Sequence, residues 1–135
     1  MTAVDTWEGS IEHAGDPRLA RIEQLFDANM ARYGNRLTKV KSTSAEFFRN
    51  HGQSPGFDLI HVDGSHVADD VMADANSSFA LLNPGVVMIL DDYLWNRGAD
   101  PCAAPAVAIN RFLRGNRGRF RLLSVTTQVV LRKAP

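Results

Sequence analysis

Apolar residues fall into two rhythms along this chain, short unbroken runs and helical faces, and the runs end on acids. Phe57–Asp63 is rich in strand formers and closes on Asp63, while Val86–Leu90 is unbroken and is followed by Asp91-Asp92. Between them Val67, Val71, Ala75, Phe79 and Leu82 recur at the spacing of one helical face. Asn83-Pro84-Gly85 reads as a stop and turn before the second run. Strand, helix and strand, with both strands apolar throughout, predict a βαβ unit in a parallel sheet covered on both faces.

The flanks extend the pattern. Thr2–Asp5 predicts the tail of a strand, followed by a polar loop to Asp16. Asp16-Pro17 supplies a cap and a first-turn proline for a helix to about Tyr33. Its apolar face is Leu19, Ile22, Leu25, Phe26 and Met30, and Gly34 ends it. Leu37–Lys41 predicts a short strand, and Ser42-Thr43-Ser44 caps a second helix with Phe47 and Phe48 inward. Beyond a Gly/Pro/Ala loop at Asn96–Ala104, a helix spans Pro105 to Arg114. Phe120–Val125 and Gln128–Arg132 then predict an antiparallel hairpin.

The acids acquire meaning from the strands. A site in an open parallel sheet lies beyond the carboxyl ends of its strands, and neighbouring strand ends sit about 4.8 Å apart. Asp63 and the Asp91/Asp92 pair therefore project into one small volume beside His66. Carboxylates so close repel one another unless a cation joins them, and oxygen ligands suit a hard ion such as Mg²⁺. Taken singly, Asp63 reads as a turn cap and Asp91 and Asp92 as solvated loop acids; their joint placement at two strand ends beside a histidine favours the site.

Asp63-Gly64-Ser65-His66, then a helix, Asn-Pro-Gly and a strand ending Asp91-Asp92-Tyr93-x-Trp95, resembles the class I S-adenosylmethionine-dependent methyltransferases. Within them it is most similar to the metal-dependent O-methyltransferases of catechol and macrolide-sugar type. Val4-Asp5-Thr6-Trp7-x-Gly9-Ser10-x-Glu12-His13 resembles the segment at the end of their second strand. The resemblance implies a three-layer Rossmann-like α/β fold, mostly parallel, with strand order 3-2-1-4-5-7-6 and an antiparallel ending. It implies S-adenosylmethionine and Mg²⁺ as cofactors and a small-molecule hydroxyl as methyl acceptor. Asp63, Asp91 and Asp92 match the metal ligands, Asp92 departing from the catechol branch, which uses an amide there. His66 stands at the general base, and Tyr93 and Trp95 wall the acceptor pocket. Asp5, Thr6, Trp7, Ser44 and Asp63 fall at cofactor-binding positions. Trp7 also reads as a loop anchor, Ser44 as a plain helix cap and His66 as a turn residue.

Composition narrows the classes. Apolar residues make up 44% and charged residues 22%, which supports one soluble globular domain over residues 1–135. Zero net charge gives no general field toward nucleic acid or an anionic membrane. The run Arg111, Arg114, Arg117, Arg119 and Arg121 reads as a solvated helix end. One cysteine, Cys102, allows no internal disulfide, and no apolar stretch reaches membrane-spanning length. These features point to the cytoplasm. A phosphoacceptor receiver domain is rejected: its acid pair precedes the single acid, and Lys133 lies too near the end for its lysine.

One family part is missing. The glycine-rich loop that holds the methionine end of the cofactor precedes the second-strand acid by roughly 20 residues, and here that acid is residue 5. The expectation is thus an N-terminally truncated fold. Three readings follow: a portion of a longer methyltransferase, a degenerate non-catalytic scaffold, or a module completed by a homo-oligomer or strand-donating partner.

Overall fold

The computed structural model describes residues 1–9, 13–51, 56–95 and 104–135. Cys102, Ser10, Glu12 and most of the Asn96–Ala104 loop lie outside the described residues. The chain divides into two compact units, Met1–His51 and Gly52–Pro135.

In the N-terminal unit, β1 (Thr2–Asp5) and β2 (Thr38–Lys41) pair in parallel, with Thr2 opposite Thr38 and Asp5 opposite Lys41. Helix α1 runs Leu19–Met30 and continues as a 3₁₀ segment, Ala31–Arg36, bent at Gly34. The helix starts later than Asp16-Pro17 predicts. Asp16 turns its carboxylate onto the Arg18 amide (2.9 Å) and guanidinium (2.6 Å), closing a tight turn, and Arg18 takes the cap position. That guanidinium pulls the Asp16 carboxyl down to about 2. Helix α2 is Ser44–His51. Its cap is Thr43, in a reciprocal capping box: Thr43 Oγ1 accepts from the Glu46 amide and Glu46 Oε2 from the Thr43 amide, both at 3.2 Å. Ser44 is therefore the first helical residue and not the cap.

The C-terminal unit holds β3 (Phe57–Val62), α3 (Ala68–Leu81), β4 (Leu82–Leu90), α4 (Pro105–Gly115), β5 (Phe120–Val125) and β6 (Val129–Lys133). Its sheet order is β3-β4-β6-β5, parallel between β3 and β4 and antiparallel thereafter. The two sheets thus supply the 3-2 and 4-5-7-6 portions of the expected order. Asn83-Pro84-Gly85 does not separate helix from strand. Phe57 pairs with Leu82 and Leu59 with Val87, so the intervening residues bulge out of β4, with Gly85 at φ 79°.

The core lies between this sheet and the two helices. Val71, Ala75 and Phe79 of α3 and Ala108, Ile109 and Phe112 of α4 pack on Met88, Leu90, Val129 and Leu131. Phe79 meets Phe112 edge-on at 5.5 Å. Lys133 closes the C-terminal end of α3, its amine donating to the carbonyls of Phe79 (2.8 Å) and Leu82 (2.6 Å). Ile60 and Val62 face this core, whereas Leu59 and His61 point the other way and are exposed. Among the described residues β3 is therefore covered on one face, a period-two alternation that its apolar composition concealed.

No helix among the described residues is long and apolar enough to cross a membrane.

Candidate functional site

The parallel pairing of β3 and β4 brings the acids together. Val62 pairs with Leu90, and the Asp91 amide donates to the Val62 carbonyl at 2.9 Å, so both strands deliver their acids at one level. Asp63, Gly64, Asp91 and Asp92 edge a small recess floored by Val71 and Leu90. Asp91 is held from three sides. Its Oδ1 accepts from the Asp92 amide (2.8 Å), and its Oδ2 meets His61 Nε2 (2.9 Å) and the Gln128 side-chain amide (2.6 Å).

Asp92 adopts a left-handed backbone, φ 57°, which few residues other than glycine tolerate and which Asp and Asn visit most readily. The turn is pinned at 2.9 Å twice: the Trp95 amide donates to the Asp92 carbonyl, and the Tyr93 amide to the Thr127 carbonyl. Asp92 Oδ2 thereby meets His66 Nε2 at 2.9 Å. The His66 ring stacks on Trp95, centroids 4.2 Å apart and planes 18° from parallel. Tyr93 donates its hydroxyl to Asn110 Oδ1 at 3.3 Å.

The charges are in conflict. Burial, then the negative charges of Asp91 and Asp92, push the Asp63 carboxyl above the ordinary range, with His61 opposing. Burial acts the same way on Asp91, but the Asp92 amide, Gln128 and His61 outweigh it and hold that carboxyl low. Such a set fits a hard divalent cation: crowded carboxylates, one of them driven toward protonation by burial and by its neighbours. The side-chain atoms that come within 4.8 Å of one another belong to His61, Asp63 and Asp91. Asp92 stands beside them, engaged with His66. A carboxylate has two oxygens, so that pairing does not exhaust it.

Two participants were not read from the sequence. His61 lies two residues before Asp63, on the same side of an alternating strand; that spacing could have revealed it. Gln128 arrives through the hairpin, where Leu90 pairs with Val129, and no local pattern announces it.

The remaining candidates belong to the N-terminal unit. Asp5 is exposed and accepts from the Trp7 amide through Oδ1 at 2.7 Å. Thr6 Oγ1 accepts from the Glu8 amide at 3.3 Å. Trp7 is buried, 6% exposed, against Phe26 at 5.0 Å and under the Lys39 amine at 4.5 Å. Ser44 is half-buried at the start of α2.

Acids and a histidine at the ends of adjacent parallel strands, in a sheet of this order, define a Rossmann-like methyltransferase fold. The chain belongs to the methyltransferase domain family, which matches it over residues 1–93. Among solved structures, TomG, an O-methyltransferase from Streptomyces achromogenes involved in tomaymycin synthesis and solved with SAM, is 15% identical with a TM-score of 0.67; the match covers 99% of this chain and 61% of that one. A Corynebacterium glutamicum protein is 16% identical with a TM-score of 0.66, covering 99% and 60%. MycE, a methyltransferase of the mycinamycin pathway solved with Mg, SAH and mycinamycin VI, is 19% identical with a TM-score of 0.58, covering 98% and 44%. The chain thus spans between 44% and 61% of the length of these relatives. No curated protein sequence matches it.

Proposed function

We propose that the chain serves S-adenosylmethionine-dependent methyl transfer to a hydroxyl of a small molecule, assisted by Mg²⁺. The observation that carries this reading is the His66–Asp92 pair beside Asp63 and Asp91, at the ends of two paired strands. Two relatives of the same fold support it, one solved with SAM and one with Mg and SAH.

His66 is the proton acceptor in this reading. The Asp92 carboxylate fixes the ring through Nε2, and Trp95 fixes its plane by stacking. An imidazole beside a carboxylate is suited to take a hydroxyl proton, because the cation it becomes meets a ready negative partner. Trp95 and Tyr93 wall the acceptor side. Asp63, Asp91 and Asp92 would hold Mg²⁺, with His61 beside them; when bound, the ion acidifies a ligated hydroxyl and fixes its direction. In the N-terminal unit, Asp5 supplies a carboxylate for ribose hydroxyls, and Thr6, Trp7 and Ser44 contribute to adenine binding.

Calorimetric titration of the chain with S-adenosylmethionine, with and without Mg²⁺, tests this directly. Saturable cofactor binding is expected, and Mg²⁺ binding should be lost in Asp91→Ala/Asp92→Ala. A folded chain that binds neither would instead be a non-catalytic scaffold, or a module awaiting a partner.

A further inference from the structure

Asp74 is a carboxylate that the site described above does not use. It lies in the second turn of α3, 8% exposed, among the buried residues Val71, Ala75 and Ser78. Asp69 and Asp70 sit in the first turn, where helix dipole and solvent both favour an acid. Asp74 is past that turn and inside, so its charge must be met by hydrogen-bond donors. One of its oxygens, Oδ2, lies 3.5 Å from where a Cβ on Gly64 would sit, which places the carboxylate against the backbone of the 63–66 loop. Val71, one turn earlier, lines the recess edged by Asp63 and Gly64.

We infer that Asp74 is a positioning residue for the acidic site. Its carboxylate receives the backbone amides of the Gly64–His66 loop from beneath, and so aims Asp63 and His66 at the acids following β4. The acids of the site are exposed or half-exposed, and the loop that carries Asp63 and His66 has no regular structure of its own. A buried anchor in a helix is the kind of support such a loop requires.

The inference rests on the proposed metal reading for one of its two readouts only. In Asp74→Asn, which keeps the shape and removes the charge, amide exchange of Gly64–His66 should quicken at least ten-fold relative to the α3 amides. Mg²⁺ should bind at least about ten-fold more weakly, the usual consequence of removing a ligand's supporting partner. Unchanged loop exchange in a folded Asp74→Asn chain would overturn the role. If the wild-type chain bound no Mg²⁺, the proposed function would fall, while the exchange measurement would still decide Asp74. Should Asp74→Asn fail to fold, the wild-type chain gives the answer. Scalar couplings from amides of residues 64–66 to the Asp74 carboxyl carbon would uphold the role, and their absence would overturn it.

Discussion

The two units of this chain are held together by different physics. In the C-terminal unit eleven buried apolar residues form one cluster, seven of them with no measurable exposure. In the N-terminal unit neither helix has a buried residue, and Trp7 is its single buried apolar side chain among those described. The predicted apolar face of α1 leaves Ile22 and Leu25 at 39% and 50% exposure. What joins α1 to β2 instead is charge: Lys39 to Glu23 (2.8 Å) and Asp27 (2.7 Å), and Lys41 to Glu23 (2.7 Å). Burial of apolar area scales with size and resists salt, whereas exposed ion pairs contribute little and are screened. The proposed metal and proton chemistry is thus seated on the well-packed unit.

The comparison is broken most forcefully at Phe112. Phe112→Ala removes a ring with 0% exposure that meets Phe79 edge-on, at a cost of about 4–5 kcal/mol. Urea unfolding followed through Trp95 should show it, with protection lost across Gly52–Pro135. Next in size is Trp7→Ala, expected to cost about 3 kcal/mol, the low end for such a truncation because one helix face shares the ring. Hydrogen exchange should then rise across Met1–His51 and leave the Phe79–Phe112 core protected. Equal losses in both units from either variant would mean that they unfold as one.

Much of this architecture was legible in residues whose signals agree at every level. Val71, Ala75 and Phe79 gave α3 its buried face, and Pro105 opened α4 as a first-turn proline should. The hairpin strands fell within a residue of their expected bounds. Reading failed where a side chain changed partner. Asp16 closed a turn with Arg18 instead of starting a helix, and Asn83-Pro84-Gly85 was absorbed into β4 as a bulge. At the site, proximity of Asp63, Asp91 and Asp92 followed from strand ends alone. The pairing of His61 and Gln128 with Asp91 did not, since one depends on which face of β3 is open and the other on the hairpin's register.

Asp63 in one unit and Glu23 in the other are shifted in opposite directions. Asp63 has a raised carboxyl, so its favourable contribution is complete below the unfolded aspartate value, about 3.9, and is lost as pH rises through its folded value. In metal-free protein at pH 7, Asp63→Asn should therefore raise the melting temperature, and the gain should vanish below about pH 4. Asp91 titrates in the opposite sense, which is why the difference between wild type and variant, and not the bare profile, carries the result. Saturating Mg²⁺ should stabilise the wild type and leave Asp63→Asn unmoved. A variant that melts below the wild type at pH 7 would mean the like charges are already relieved.

Glu23→Gln should give the smallest effect and the reverse sign. Hydrogen bonds from Lys39 and then Lys41 lower the Glu23 carboxyl, so its contribution is present above the unfolded glutamate value, about 4.3, and is lost as pH falls through the folded value. The substitution should cost stability at pH 7 and nothing in acid. Because these groups are exposed, the loss should shrink when ionic strength is raised from about 0.01 M to 1 M, as the screening length falls from about 30 Å to 3 Å. Amide exchange in α1 and β2 is the sensitive readout, being confined to the elements the pairs join. A loss that persists in 1 M salt would show that Glu23 acts by packing, and the contrast between a charge-held and a core-held unit would fail at its weakest joint.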